Sequence, residues 1–211
     1  MTQSDSYQHL EAALPGFTEA RDIIKDADDS IFPLQYKGDK FEFYRFVNRF
    51  RMAKQFKGID LEGFEQKTVD GYSSLTRVFL IWSVFERYTE LTGDSPPYRQ
   101  LLAYVSQLDL NKLADEIERH DAEHKLYDFL HGQSLEHNLH YLERYREGDR
   151  RGVIFYAAAI RHIYAHGHLT AHPNGCNPDD VLTICDALAD FLLELMQKDF
   201  ARRLKVAMAR T

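Results

Sequence analysis

The chain has 211 residues, 44% of them hydrophobic and 28% charged, which is the composition of a globular protein with one well-packed domain. Its net charge of −7 excludes a protein that coats nucleic acid by overall attraction, so an RNA site must be a local basic patch. The sequence has no secretory signal and no run of roughly eighteen apolar residues that could span a bilayer, so we expect a cytoplasmic protein.

Three regions follow one another along the chain. Residues 1–30 are polar and acidic, and a Pro-Gly pair interrupts them, so we expect a loosely ordered arm with one short helix over 18–27. Residues 31–70 are predicted to form an aromatic and basic helical extension that packs on the core. Residues 71–211 are predicted to form the main helical bundle.

The extension contains a helix over residues 41–56 that mixes aromatic and basic side chains. Its apolar side chains recur at helical spacing and form a packing stripe, which consists of Phe43, Phe46, Val47 and Phe50. Arg45, Arg49 and Arg51 lie off this stripe. One interpretation is an amphipathic helix with solvated arginines. The other is a groove wall in which these three arginines hold an RNA backbone.

The middle of the chain predicts helices over 74–92 and 98–108, separated by a Gly-Asp-Ser-Pro-Pro breaker. Residues 109–147 are helical in composition but richly charged. His120 and His124 are four residues apart, the spacing of two metal ligands on one helix face. Histidines in so charged a segment are usually solvated, so we assign no metal site there.

The stretch 153–167 concentrates the residues best suited to chemistry. Its apolar side chains lie on one helical face, and three consecutive alanines predict close contact with a second helix. Gly167 is predicted to end the helix as a left-handed cap, which places His166 in the last turn. There the helix carbonyls stabilise an imidazolium, as suits a group that moves protons. Arg161 supplies a permanent cation whose planar fork of donors binds phosphate.

A second basic patch is predicted around this stretch. No acidic residue lies between Asp149 and Asp179, whereas the interval contains three arginines and four histidines. Arg150 and Arg151 are therefore further candidates for RNA binding. After a Pro- and Gly-punctuated loop, Asn177 caps a long amphipathic last helix. No strand-period segment is evident, so the expected fold class is all-α, a helix bundle with short connections.

Arg161, the polar residue His162 after it, and His166 together resemble the signature of the HEPN family, the nucleotide-binding domains of higher eukaryotes and prokaryotes. The resemblance covers about residues 71–208, and the motif is its specific part. It implies an all-α bundle of the HEPN type with a long C-terminal helix, to which this chain adds an N-terminal extension. Many active members are dimeric RNA endonucleases without a metal or other cofactor, and others are silent.

The resemblance also implies roles for the motif residues. His166 moves a proton at the reacting oxygens, Arg161 stabilises charge on the phosphate, and His162 orients them. The implied partners are RNA, a second copy of the chain and, in a toxin or defence role, an inhibitory protein; neither DNA nor a membrane is expected. Some family toxins carry a Tyr two places after the motif histidine, where a partner attaches nucleotides. This chain has His168 there, so that silencing is not expected.

Geometry raises an objection that two copies would answer. Five residues along an α-helix turn through about 500°, which is one full turn plus about 140°. Arg161 and His166 therefore do not share a face of one ideal helix. Family members pair the motifs of two protomers in one cleft, and the alanine-rich helix is compatible with such an interface. Two alternatives remain open. One is a silent dimeric scaffold or interaction module, and the other is a metal cluster of four histidines, which are His162, His166, His168 and His172.

Overall fold

The computed structural model describes residues 3–96, 98–103, 106–173 and 175–210. Regular structure within these residues is entirely helical, which confirms the predicted all-α class. No helix in these ranges is both long enough and apolar enough to cross a membrane. The α-helices are α1 (Gln3–Ala13), α2 (Phe17–Asp26), α3 (Lys40–Gln55), α4 (Gln66–Thr92), α5 (Arg99–Leu102), α6 (Gln107–His120), α7 (Lys125–Gln133), α8 (Glu136–Arg146), α9 (Phe155–Ala165) and α10 (Pro178–Met208).

Helix ends differ from the prediction where capping residues were overlooked. The helix predicted over 98–108 is instead two helices, α5 and the start of α6, and residues 104 and 105 lie outside the described part of the chain. Ser106 begins α6, because its Oγ accepts the N–H of Asp109 at 3.0 Å. The long C-terminal helix begins at Pro178, as the Asn-Pro pair predicts.

The short helix predicted over 18–27 is present as α2, and a further helix, α1, precedes it where a loosely ordered arm was expected. The turn between α1 and α2 is fixed by Glu11, whose carboxylate accepts the N–H groups of Gly16 at 2.7 Å and Thr18 at 2.8 Å. Burial opposes ionisation of Glu11, but these bonds outweigh it and lower the pKa of its carboxyl. Leu14 and Phe17, on either side of the turn, have no exposed surface, so both helices contribute to a core.

The chain divides into two compact units, each built from separated segments. Unit 1 comprises residues 1–56, 83–104 and 193–211, and unit 2 comprises residues 57–82 and 105–192. The predicted RNA-binding arginines of α3 therefore belong to unit 1. The motif on α9 belongs to unit 2.

Aromatic side chains fill the core of unit 1. The predicted stripe of α3 is confirmed, since Phe43, Phe46, Val47 and Phe50 are all buried. The ring of Phe46 lies 4.7 Å from that of Tyr88 on α4, and Phe43 stacks on Phe200 of α10 at 6.3 Å. Each such pair contributes about 0.5–1.5 kcal/mol beyond its area burial.

A buried charge lies inside this aromatic core. The carboxylate of Asp199 has no exposed surface and accepts hydrogen bonds from Tyr88 Oη at 2.8 Å and Arg203 Nε at 2.7 Å. Burial opposes the charge on Arg203, but the bond to Asp199 outweighs it and raises the pKa of the guanidinium. Arg203 also donates from Nη1 to the carbonyl of Gln35 at 2.6 Å, so the network holds the loop before α3.

Unit 2 surrounds α9 with other helices. Tyr141 of α8 stacks on Phe155 at 3.9 Å, and Tyr145 meets Tyr156 edge-on at 5.6 Å. A 3-10 helix, Arg150–Ile154, leads directly into α9. Its Gly152 allows close approach, because a Cβ there would lie 2.6 Å from the carbonyl oxygen of Tyr141. The buried start of α9 thus fixes where its exposed end lies in this unit.

Candidate functional site

The C-terminal end of α9 has the predicted glycine cap. Gly167 is left-handed, with φ at +76°, and its N–H donates to the carbonyl of Tyr164 at 3.0 Å. The N–H of His168 donates to the carbonyl of Ile163, also at 3.0 Å. These two bonds form the Schellman motif. In it, N–H groups that follow the helix donate to carbonyls of the last turn, which would otherwise have no partner. His166 is the residue between the last helical turn and this cap.

His162 and His166 lie together at this end of α9. Their rings meet edge to face, with centroids 4.5 Å apart and an interplanar angle of 63°. This follows from their four-residue spacing, which stacks side chains one above the other on a helix. His166 is exposed and His162 is half-buried, so the pair presents one imidazole to solvent in contact with a second.

Arg161 points towards α4. Its guanidinium carbon lies 6.0 Å from the centroid of the Phe79 ring, within the range of a cation–π contact. Phe79 in turn packs edge-on against Tyr164 at 6.4 Å, and the hydroxyl of Tyr164 is 2.9 Å from Thr76 Oγ1. Sequence reasoning missed Phe79 as a partner of Arg161, because only the packing of α4 on α9 brings them together. Arg161 is half-buried and adjoins the histidine pair along the helix.

The predicted patch at Arg150 and Arg151 is engaged by carboxylates. Arg150 Nη1 donates to Glu118 Oε1 at 2.6 Å, and Arg151 Nε donates to Asp149 Oδ1 at 2.8 Å. The bond from Arg151 lowers the pKa of the Asp149 carboxyl, so this pair stays ionised. Both arginines keep exposed surface, and their role in RNA binding remains a prediction. An incoming phosphate would compete with a carboxylate already in place.

The three predicted arginines of α3 separate into two groups. Arg45 and Arg49, four residues apart, are exposed and line a cleft of about 190 Å³ together with Arg87 of α4. We call this the arginine cleft; its other lining residues are Glu42, Phe46, Glu90 and Leu91. Arg51 is half-buried, does not line the cleft, and donates from Nε to Gln55 at 3.2 Å. Arg87 was missed because a residue far along the chain shows no local relation to α3.

The four-histidine metal cluster is not assembled. Within the described ranges, no three or more His, Cys, Asp or Glu side chains are grouped so that they could hold a metal ion. His172 Nε2 instead lies 3.0 Å from Thr68 Oγ1 of α4. The same loop approaches α4 at Gly71, where a Cβ would lie 2.8 Å from the Cβ of Ala171. This loop therefore docks on α4 rather than folding back over the motif.

The three alanines make the predicted close helix contact, but within their own chain. Ala157, Ala158 and Ala159 are at most 4% exposed, and α9 packs against α7 and α8. These alanines therefore leave no surface for a second copy. The dimer remains a prediction, now resting on the angle between Arg161 and His166.

No family model, curated protein or solved structure matches this chain. What the chain does must therefore be inferred from its own side chains. The histidine pair and adjoining arginine on α9 are the candidate catalytic groups. The arginine cleft is the candidate phosphate-binding surface.

Proposed function

We propose that this protein is a metal-independent RNA endonuclease of the HEPN type, acting in a toxin or defence role. The observation that carries the proposal is the edge-to-face pair of His162 and His166 at the exposed, glycine-capped end of α9, with Arg161 on the adjoining turn. An exposed imidazole in contact with a second one suits proton transfer, and a guanidinium at the same end of α9 suits a phosphate.

The reaction follows from these groups. His166 takes the proton of a ribose 2′-hydroxyl, and the 2′-oxygen forms a bond to the adjacent phosphorus. The bond from phosphorus to the 5′-oxygen breaks, and the leaving oxygen takes a proton from water. Arg161 stabilises the negative charge that builds on the phosphate, while His162 orients His166. One product ends in a 2′,3′-cyclic phosphate, and DNA, which has no 2′-hydroxyl, is not cleaved.

The site is proposed to combine Arg161 of one copy with His166 of a second. On one ideal helix the two side chains point about 140° apart after one full turn, and Arg161 is turned towards Phe79 of α4. A two-fold axis near the end of α9 would bring the missing group from the other copy, because a two-fold interface places every contact twice.

Cleavage in the presence of a chelator tests the reaction class. We expect RNA incubated with the purified protein and excess EDTA to be cut as fast as without EDTA, with 2′,3′-cyclic phosphate on the products. The matched DNA oligonucleotide should stay intact. Mass spectrometry of the product ends provides the measurement. Loss of cleavage in EDTA, or products with 3′-hydroxyl ends, would contradict the proposal.

A catalytically silent bundle is the second candidate, and one observation favours it. The contact of Arg161 with Phe79 is also one that a purely structural arginine makes. In that case the protein is a dimeric scaffold or interaction module, and substitutions at His166 change nothing but the surface. A folded dimer that cleaves none of a broad pool of RNA sequences would favour this candidate.

The arginine cleft leads to a prediction about RNA affinity. Reversing Arg45 and Arg49 to Glu should weaken RNA binding, because each side chain is exposed and able to neutralise a phosphate. The slope of log affinity against log salt should fall by about 0.7 for each lost phosphate contact on a single strand. Fluorescence anisotropy at several salt concentrations is the measurement.

Arg51→Glu is the matched control for this prediction. It makes the same charge change as either single reversal, Arg45→Glu or Arg49→Glu, and on the same helix, but Arg51 is outside the arginine cleft. Its salt slope should stay close to that of the wild type. An equal loss in the Arg51 variant would mean that overall charge, and not the cleft, determines binding.

A further inference from the structure

An open groove beside the loop that precedes α3 contains two largely exposed aromatic rings. It has a volume of about 950 Å³ and lies within unit 1. Phe32 is 77% exposed and Phe41 is 62% exposed. We call this the aromatic groove; its lining is formed by residues 29–32, 35–41 and Arg210.

The exposure of these rings is selective. Ile31 and Tyr36, in the same stretch of chain, are each only 2% exposed, so the loop does bury the apolar side chains that its fold requires. A hydrogen bond also fixes the loop, because Arg203 donates to the carbonyl of Gln35. Gln35 has a left-handed backbone conformation, with φ at +59°. Single exposed apolar residues are ordinary on a protein surface. Here two rings line one groove, and both lie on ordered elements, Phe32 at the start of a 3-10 helix and Phe41 in the first turn of α3, so they form a preorganised surface.

The charges around the rings favour an anion. Lys37, Lys40 and Arg210 line the groove, together with the acids Asp29 and Asp39. Both acids are already engaged: Asp29 is paired with Lys40, and Asp39 Oδ1 accepts the N–H of Glu42 at 2.8 Å as the cap of α3. The three cations of the lining outnumber its two acids, so the groove is locally positive in a protein of net charge −7.

We propose that the aromatic groove binds a single-stranded RNA segment, with unpaired bases stacked on Phe32 and Phe41 and phosphates held by Lys37 and Arg210. Aromatic faces next to cations are the usual surface for single strands, because every base has a face that stacks and every linkage a charge. A cleft of this volume takes a ligand of about drug size, which corresponds to roughly one or two nucleotides. The choice of RNA as ligand rests on the proposed function.

The test uses a fluorescent 2′-O-methyl RNA of about eight nucleotides, a length suited to one single-strand site. This probe lacks the attacking hydroxyl, so its binding is measured without cleavage. Phe32→Ala and Phe41→Ala should each weaken binding by about 5- to 100-fold, the range that one stacked base supplies. The control is Phe64→Ala, which removes another largely exposed phenylalanine, 58% exposed and in unit 2, and should leave affinity unchanged. A duplex of the same sequence should bind more weakly, because its bases are already paired.

Several results would overturn the inference. Unchanged affinity in the Phe32→Ala/Phe41→Ala double variant would show that the rings do not contact the probe. Equal affinity for duplex and single strand would show that the groove does not stack unpaired bases. Light scattering would show whether the rings instead hold two copies together. In that case the double variant would have a lower molar mass in solution than the wild type. Because both rings are exposed, the thermal midpoint should not change. If the groove binds the probe but the protein cleaves no RNA, the proposed nuclease function is rejected and the proposed binding site is retained.

Discussion

His166→Ala is expected to slow RNA cleavage by about 10²- to 10⁴-fold, because it removes the group proposed to take the proton of the 2′-hydroxyl. The side chain is exposed at the end of α9, so the variant should fold and melt as the wild type does. Single-turnover cleavage of a labelled RNA is the measurement. His168→Ala is the matched control, since His168 is a similarly exposed histidine two residues away. Full activity in the His166 variant would contradict the proposed mechanism.

Arg161→Ala should cause a comparable loss through the unstabilised phosphate charge. This variant also removes the contact with Phe79, so its unfolding must be measured beside its activity. Arg161→Lys separates the two effects, because lysine keeps the charge but lacks the planar fork of donors. Partial activity in the Lys variant and none in the Ala variant would assign the effect to phosphate binding.

Co-expression of the two inactive variants tests the composite site. If Arg161 of one copy acts with His166 of the other, a mixed dimer of His166→Ala and Arg161→Ala contains one complete site and recovers part of the activity. If both groups act within one copy, the mixture stays inactive. Light scattering must first establish a dimer, and a wild-type monomer that cleaves RNA would exclude a composite site.

Asp199→Ala should destabilise unit 1 by about 3–5 kcal/mol, the usual cost of leaving a buried charge without its partner. Arg203 is only 5% exposed, and Asp199 is the carboxylate that accepts from its Nε. Tyr88, which has no exposed surface, would lose its hydroxyl acceptor at the same time. The measurement is the free energy of unfolding in urea, followed by the fluorescence of the core tyrosines.

Glu194→Ala is the comparison for the Asp199 variant on the same helix. It removes an exposed pair with Lys198, in which the two charged groups lie 2.7 Å apart. Such surface pairs one helical turn apart contribute only about 0.3–0.5 kcal/mol. Similar losses in both variants would show that the buried network contributes no more than a surface pair.

Local signals in the sequence predicted the elements that depend on neighbouring residues. Gly167 ended α9 and Pro178 began α10 as predicted, because a left-handed cap and an Asn-Pro start are set by a few consecutive residues. The packing stripe of α3 was also predicted, because the helical spacing of its apolar residues is visible in the sequence. The pairing of His162 with His166 follows from the same helical spacing.

Features that depend on distant segments could not be predicted. The buried pair of Asp199 and Arg203 is completed by Tyr88 and by the carbonyl of Gln35, which lie far from it along the chain. Arg87 joins Arg45 and Arg49 only through the packing of α4 on α3. The alanines of α9 predicted a close contact without indicating whether the partner helix belongs to the same chain. In each case a side chain's partner, and not its own type, determines its role.

The loop after α9 has a consequence for the thermodynamics of binding. Leu169 and Ala171 are buried, Gly71 admits the backbone at Ala171, and Thr68 contacts His172. Because these contacts with α4 already order the loop, a molecule that binds beside His166 and reaches the loop has few protein residues to order. Ordering each one would cost about 1–2 kcal/mol of backbone entropy. The RNA proposed as substrate should therefore lose little binding free energy to the ordering of this loop.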